Sequence, residues 1–201
     1  MNKRIFIILI ILLIIFLFWG FKKTSFSGKT SQIFSQNQDV DITNLNIKPK
    51  IQNCLIKHRK MIVRGSSLNP FINPGQVIEA LFGYYKCHKI KRGDVVLFDY
   101  AGDKNFIIKI VKGIPGDKFE LRKSDGGWNI IINDNIIKNS ENKPYLILGN
   151  AYKMLSLYEK DYKGIIPEDA YLLLGNRISG SIDSTAFGLV NKSGIVAKVK
   201  I

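Results

Sequence analysis

A serine hydroxyl and a lysine amine are the two groups in this 201-residue chain that have the setting of a nucleophile and its base. The apolar run Met61-Ile-Val63 leads toward Ser67, and Pro70 follows three residues later. A strand cannot continue through a proline, so the hydroxyl is expected at a bend, where a nucleophile is accessible. A serine that merely caps the turn is the alternative.

The lysine lies in the apolar segment Phe106-Ile-Ile-Lys-Ile-Val111, where Lys109 shares one face of a strand with two aliphatic residues. Such neighbours desolvate the amine and lower its pKa from about 10.4 toward neutrality. A neutral amine can accept the proton of a serine hydroxyl, which suggests acyl transfer. Lys112 lies on the opposite face and competes for this role, and a lysine that extends from a strand edge into solvent is the other alternative.

Other chemistries find little support in the sequence. His58 and His88 lie in basic, polar runs typical of solvated surface, so a Ser/His/Asp triad is disfavoured, although only geometry defines such a triad. No zinc-ligand spacing and no phosphate-binding glycine loop is present, and we predict neither a metal nor a cofactor. Cys54 and Cys87 are compatible with a disulfide or with two thiols.

The N-terminus predicts a membrane anchor over residues 1–23. Ile5 to Phe21 is a run of seventeen residues without a charge, or roughly 25 Å of helix. Lys22 and Lys23 end the run, and no small-x-small site follows it, which favours an uncleaved anchor over a cleaved secretory signal. Basic residues are nearly balanced across the span and barely decide its orientation.

Residues 24–46 are rich in Ser, Gln, Asn and Thr and predict a flexible stalk. The formal net charge is +14, but the lysines are scattered, and Ile, Lys and Asn are all abundant, as translation of an AT-rich genome would give. We expect some attraction to membrane lipid and no nucleic-acid binding.

Residues 47–201 have the pattern of one β-rich domain. Short apolar runs broken by Gly, Pro, Asn and Asp predict strands, and no long stretch after the anchor has a convincing helical period. Asn133-Asp134 predicts the turn of a hairpin. The predicted strands span residues 60–64, 94–100, 106–111, 128–132, 135–137 and 195–199.

Four blocks of the sequence, in this order, resemble the Ser/Lys signal peptidase family, the type I signal peptidases. Ser67-Leu-Asn-Pro70 resembles the Ser-Met-x-Pro nucleophile box, and Lys91-Arg-Gly-Asp-Val-Val-Leu-Phe98 resembles the Arg-Gly-Asp-Val strand. Lys109 through Asp117 resembles the lysine box that ends in Pro-Gly-Asp. Gly175 through Gly188 resembles the last box, Gly-Asp-Asn-Arg followed by Ser-x-Asp-Ser-Arg-x-x-Gly. Each block alone is weak or moderate evidence for the family, whereas four blocks in the right order behind an anchor are strong evidence.

The resemblance assigns roles to individual residues. Ser67 would be the nucleophile, and Lys109 would be the general base because of its spacing to Pro115. Lys112 falls at a position that is usually aliphatic in the family. The backbone N–H of Ser67 and one further donor would bind the oxyanion.

Supporting residues follow from the same boxes. Ser181 would orient the lysine amine, and Asp183 would hold the loops of the site. Some family members have a second oxyanion donor where this chain has Gly65, which leaves the adjacent Ser66 as a candidate. Thr185 replaces the arginine that usually pairs with the aspartate.

The resemblance implies a signal-peptidase-like antiparallel β catalytic domain behind one N-terminal transmembrane helix, on the extracytoplasmic side of the cytoplasmic (inner) membrane. The substrates would be precursor proteins with signal peptides, bound as an extended strand and cleaved after small residues at the first and third positions before the bond. The departures suggest a divergent branch, such as the conjugative-transfer relatives. The oligomeric state stays open.

Two other readings stay open. One is a non-catalytic peptide-binding or scaffold component of a secretion or conjugation apparatus, which the altered last box motivates. The other is a self-cleaving repressor-type protease, which uses a similar Ser/Lys pair. The repressor-type hypothesis is disfavoured, because the chain has a predicted hydrophobic anchor in place of a DNA-binding helical domain.

Overall fold

The computed structural model describes residues 54–100, 102, 106–178 and 180–201. The predicted anchor and stalk, residues 1–46, lie outside this range, and their boundaries stay predictions. In the part of the chain that the structure describes, no helix is both long enough and apolar enough to cross a bilayer.

Short strands are the main regular secondary structure of the described chain, as the broken apolar runs predict. Two α-helices, α1 (Gly149–Asp161) and α2 (Ser184–Phe187), and two short 3-10 helices, Tyr84–Lys86 and Lys192–Gly194, accompany them. The strands are β1 (Lys57–Ile62), β2 (Val77–Phe82), β3 (Val95–Asp99), β4 (Phe106–Gly113), β5 (Phe119–Ser124), β6 (Gly127–Ile132), β7 (Asn135–Ile136), β8 (Leu146–Ile147), β9 (Ala170–Leu174), β10 (Val190–Asn191) and β11 (Ile195–Lys200).

Two antiparallel sheets contain all of these strands. The larger has the order β1-β2-β11-β3-β4-β9-β10, and the smaller consists of β5, β6 and β7, with β8 paired to β6. The mainly β, antiparallel fold expected from the sequence is therefore confirmed. The first strand begins and ends earlier than the predicted 60–64, because Lys57–Ile62 pairs in register with β2.

The larger sheet curls around a hydrophobic core. Four strand intervals separate β1 from β4, which is roughly 19 Å in a flat sheet at about 4.8 Å per interval. A side-chain hydrogen bond nevertheless joins Ser67, just after β1, to Lys109 in β4. The sheet therefore bends around alternate buried residues of β2, β3 and β11, which pack with the turn after β1: Leu68, Ile72, Ile78, Ala80, Val95, Leu97, Ala197 and Val199.

The smaller sheet packs with α1 over a second core. The hairpin predicted at Asn133-Asp134 is present, and both residues adopt a positive φ, which short polar side chains tolerate. Helix α1 corrects the expectation that no long helix follows the anchor. The face that packs against the core is short, and Leu155 is its fully buried residue. Leu157 is apolar but exposed on another face, so the apolar residues do not follow a clear helical period.

A disulfide joins Cys54 to Cys87, which decides between the two states that the sequence leaves open. Cys54 precedes β1, and Cys87 follows the 3-10 helix after β2. The bond therefore ties together the open end of the β1–β2 pair, and the 33-residue separation of its cysteines includes Ser67. Strand β1 is the edge strand and most of its residues are exposed, so β2 is its one strand partner among the described strands.

Replacing both cysteines by serine is expected to lower the free energy of unfolding by about 3–4 kcal/mol, because the unfolded chain regains the entropy of a loop of this length. Denaturant unfolding of the full chain in detergent, with and without a reducing agent, measures this. The double variant serves as the control, since the reducing agent should leave it unchanged. A wild type whose stability does not respond to reduction would contradict the expectation.

Candidate active site

A groove of about 630 Å³ runs beside the two groups singled out in the sequence. Backbone segment 60–65 and residues 106–109 of β4 line it, together with two buried residues of the core. Strand β9 pairs with β4 only from Ile110 onward. The other edge of residues 106–109 therefore has no strand partner among the described strands, and its backbone groups are open to an extended peptide.

Ser67 and Lys109 meet at this groove. Lys109 Nζ donates a hydrogen bond to Ser67 Oγ at 2.9 Å and a second to the carbonyl oxygen of Ile108 at 2.9 Å. The lysine is 3% exposed, whereas the serine is half-buried. Burial lowers the pKa of Lys109 to about 8, against an opposing contribution from the negative charge of Asp183. Near pH 8 a substantial fraction of the amine is neutral and able to accept a proton.

The second lysine considered from the sequence lies elsewhere. Lys112 Nζ donates to the carbonyl oxygen of Lys138 at 2.8 Å and lies over the ring of Tyr145. Burial lowers its pKa as well. Because it contacts a different loop, the structure brings Lys109 and not Lys112 to Ser67. Among the described residues, no cluster of three or more His, Cys, Asp or Glu side chains could hold a metal ion.

Asp183 braces the loop that packs against Ser67. Its carboxylate accepts from the backbone N–H of Gly175 at 2.8 Å, and from the N–H and hydroxyl of Thr185 at 3.0 and 2.7 Å. The threonine hydroxyl thus bonds the carboxylate directly. Ser181 Oγ is buried against Gly175 and makes no hydrogen bond to any residue that the structure describes. Its expected role beside the lysine amine stays a prediction.

Ser66 begins the turn that carries Ser67, the nucleophile turn (residues 66–70), and its side chain does not line the groove. Its hydroxyl accepts a hydrogen bond from the guanidinium of Arg177 at 3.0 Å. The backbone N–H of Ser67 has no acceptor within the described part of the chain, so it is available to an oxyanion.

Comparison with known proteins places the chain in a family. The family described as "Signal peptidase, peptidase S26" matches residues 1–201. The chain belongs to this family. It is 29% identical to Signal peptidase IB of Staphylococcus aureus (strain COL) over 150 residues, 68% of this chain and 73% of that protein. It is 28% identical to Signal peptidase I of Bacillus caldolyticus over 141 residues, 69% of this chain and 75% of that protein.

A solved structure also resembles this signal peptidase family member. The crystal structure of a signal peptidase I from Enterococcus faecalis V583 aligns with a TM-score of 0.41 at 21% identity. The alignment covers 56% of this chain and 98% of that chain.

Asn176 is a structural residue of this site to which the sequence alone assigned no role. Its backbone N–H donates to the carbonyl oxygen of Ser67 at 2.7 Å. Its side-chain amide donates to the carbonyl of Asn69 and to the hydroxyl of Ser140, and accepts from the backbone of Ser140. The last box contains this residue, but only its neighbours in space show that it joins the nucleophile turn to the loop at Asn139.

Gly175→Ala is expected to displace the nucleophile turn, because the new Cβ would lie against Ser181 Oγ and 2.8 Å from the carbonyl oxygen of Ser67. Overpacking of this kind costs about 1–3 kcal/mol of unfolding free energy, measurable by denaturant titration. Gly65→Ala is the matched control, since a Cβ there meets nothing within 4 Å, and it should change stability by less than about 0.5 kcal/mol. Equal effects of the two substitutions would refute this account of the packing.

Proposed function

We propose that the chain is a membrane-anchored serine endopeptidase that removes N-terminal signal peptides from exported precursor proteins. The observation that carries the proposal is the 2.9 Å contact between Ser67 Oγ and a buried lysine amine with a lowered pKa. Family membership and relatives named signal peptidase support the reaction class. Ser67 acts as the nucleophile and Lys109 as the general base.

Acylation begins when the neutral amine of Lys109 takes the hydroxyl proton of Ser67. The serine oxygen attacks the scissile carbonyl carbon, and the oxyanion that forms accepts from the N–H of Ser67. The lysine then gives its proton to the leaving nitrogen, which becomes the new N-terminus of the mature protein. The C–N bond breaks, and the signal peptide stays attached to Ser67 as an ester.

Deacylation uses the same lysine, which is neutral again after the first half-reaction. Lys109 takes a proton from water, the hydroxide attacks the ester carbonyl, and the serine oxygen recovers its proton from the amine as the ester bond breaks. The signal peptide leaves with a carboxylate end. Asp183 supports the site by accepting a hydrogen bond from Gly175, and Ser66 supports it by accepting one from Arg177. Ser181 packs against Gly175, next to the carbonyl oxygen of Ser67.

The substrate binds as an added strand in the groove. The unpartnered edge of residues 106–109 supplies backbone hydrogen bonds, and apolar side chains of the core, such as Val63 and Ile108, receive small residues at the first and third positions before the bond. The anchor over residues 1–23 holds the domain to the cytoplasmic membrane on the extracytoplasmic side, where precursors emerge and where a disulfide is stable.

Ser67→Ala and Lys109→Met are expected to abolish cleavage of a signal-bearing precursor by the full chain in detergent or liposomes. Loss of a general base alone lowers kcat about 100- to 10,000-fold, and loss of the nucleophile removes the acyl-enzyme altogether. Methionine keeps the volume of the buried lysine side chain, so the fold should persist, as circular dichroism would verify.

Lys112→Met is the matched control, because it removes a second partly buried lysine from the same strand. It should retain cleavage within about tenfold of the wild type. If Lys112→Met lost activity and Lys109→Met kept it, the general base would be Lys112, and the proposed role of Lys109 would be wrong. A wild type that cleaves no signal-bearing precursor and leaves Ser67 unlabelled by a penem-type acylating inhibitor would favour the scaffold function.

The rate is expected to depend on the protonation of Lys109. Since only the neutral amine accepts a proton, kcat/KM should rise about tenfold per pH unit below the pKa of about 8 and level off above it. Asp183→Asn removes a negative charge that raises the pKa of this lysine, so the rising limb should move to lower pH. Initial cleavage rates across the pH range test both expectations, and a shift to higher pH in the variant would contradict the second.

A further inference from the structure

Arg177 is tied to the nucleophile turn at two points. Its guanidinium donates to the hydroxyl of Ser66 at 3.0 Å, and its backbone N–H donates to the carbonyl oxygen of Ser67 at 3.1 Å. The side chain itself is exposed. A positive charge is therefore held beside the residue that is proposed to attack the substrate, and it faces solvent.

This charge has no acidic partner among the residues that the structure describes. Arg92 pairs with Asp117 and Arg122 with Glu120, whereas no described carboxylate lies within 4.0 Å of Arg177, Arg59 or Arg64. Of these three, Arg177 is the one whose guanidinium is held by a residue next to Ser67. Five N–H groups are available on a guanidinium, and Ser66 engages one nitrogen. The remaining donors keep the planar fork that binds a carboxylate through two hydrogen bonds.

The position of Arg177 relative to the groove indicates which part of a substrate it meets. Strands β1 and β4 run in the same direction, because four successive antiparallel pairings connect them. Both lead toward the end of the groove at Ser67 and Lys109. Arg177 and Ser66 do not line the groove, but they contact Ser67 at that end. A peptide that fills the groove as far as the scissile bond would leave it at Ser67, the residue to which Arg177 is bonded.

We propose that Arg177 is a specificity-determining residue that binds an aspartate or glutamate at the first or second position after the scissile bond. The inference rests on the proposed function, which supplies the peptide and its direction. Asp and Glu are the side chains of an unmodified peptide that carry negative charge, and the exposed guanidinium is pre-oriented by Ser66 to pair with them. Binding of this kind acts on substrate affinity, so it should appear mainly in KM.

The test compares precursors that differ only in having Asp, Asn or Lys at those two positions. Cleavage by the full chain in detergent is measured as kcat and KM for the wild type, Arg177→Gln, Arg177→Lys and Arg177→Glu. The wild type should cleave the Asp precursor with a kcat/KM about two- to fivefold above that of the Asn precursor, the range expected of an exposed charge pair. This ratio should shrink as salt is added.

Arg177→Gln should bring the Asp/Asn ratio to about one, Arg177→Lys should retain part of it, and Arg177→Glu should favour the Lys precursor. Lys123→Gln is the matched control, because it removes one exposed positive charge from β5, outside the groove residues, and should leave the ratio unchanged. This control separates the proposed contact of Arg177 with the substrate from the general attraction of an acidic substrate to a chain of net charge +14.

Two results would overturn the inference. The first is a wild type that cleaves all three precursors equally, which leaves the proposed function intact. The second is an Arg177→Gln variant that slows all three by the same factor and keeps the ratio, as a purely structural role through Ser66 would produce. A wild type that cleaves none of the precursors contradicts the proposed function itself and the inference with it.

Discussion

The amine of Lys109 is held where an ammonium ion is costly. It is 3% exposed, its two hydrogen-bond partners are neutral oxygens, and no carboxylate among the described residues lies within 4.0 Å. An unpaired buried charge costs several kcal/mol, so the surroundings favour the neutral amine. The negative charge of Asp183 partly offsets the effect of burial on the pKa of Lys109, although it forms no ion pair with the lysine. The curled sheet, the nucleophile turn and the last loop together maintain this environment, and the chemistry follows from it.

The nucleophile turn depends on a segment more than a hundred residues further along the chain. Backbone N–H groups of Asn176 and Arg177 both donate to the carbonyl oxygen of Ser67, which fixes the turn from behind while its hydroxyl faces the lysine. Gly175 permits the close approach, and Asp183 holds Gly175 in turn. Backbone contacts of this kind depend little on which side chains the neighbouring positions carry, and Thr185 bonds the Asp183 carboxylate through its own N–H and hydroxyl.

Local patterns predicted much of this structure, and long-range geometry accounts for the remainder. Short apolar runs located most strands, and Asn133-Asp134 located a hairpin, because turns and strand periods are local properties. The curl of the larger sheet, the partner of Cys54 and the links made by Asn176 depend on residues far apart in sequence. Helix α1 was wrongly excluded, since its packing stripe is short and mixed. Periodicity alone did not separate Lys109 from Lys112; the resemblance did, and the structure places Lys109 at Ser67.

The open edge of residues 106–109 also bears on how the protein behaves at high concentration. A strand without a neighbour can pair with the same strand of another molecule, which is a common route to self-association. Here the edge spans four residues, because β9 covers β4 from Ile110 onward, and so short an edge offers few backbone bonds to a second copy. A signal peptide that bound as proposed would also contact the groove through its flanking residues. The short uncovered edge therefore disfavours pairing between two copies of the chain, while it still leaves room for a peptide that gains further contacts in the groove.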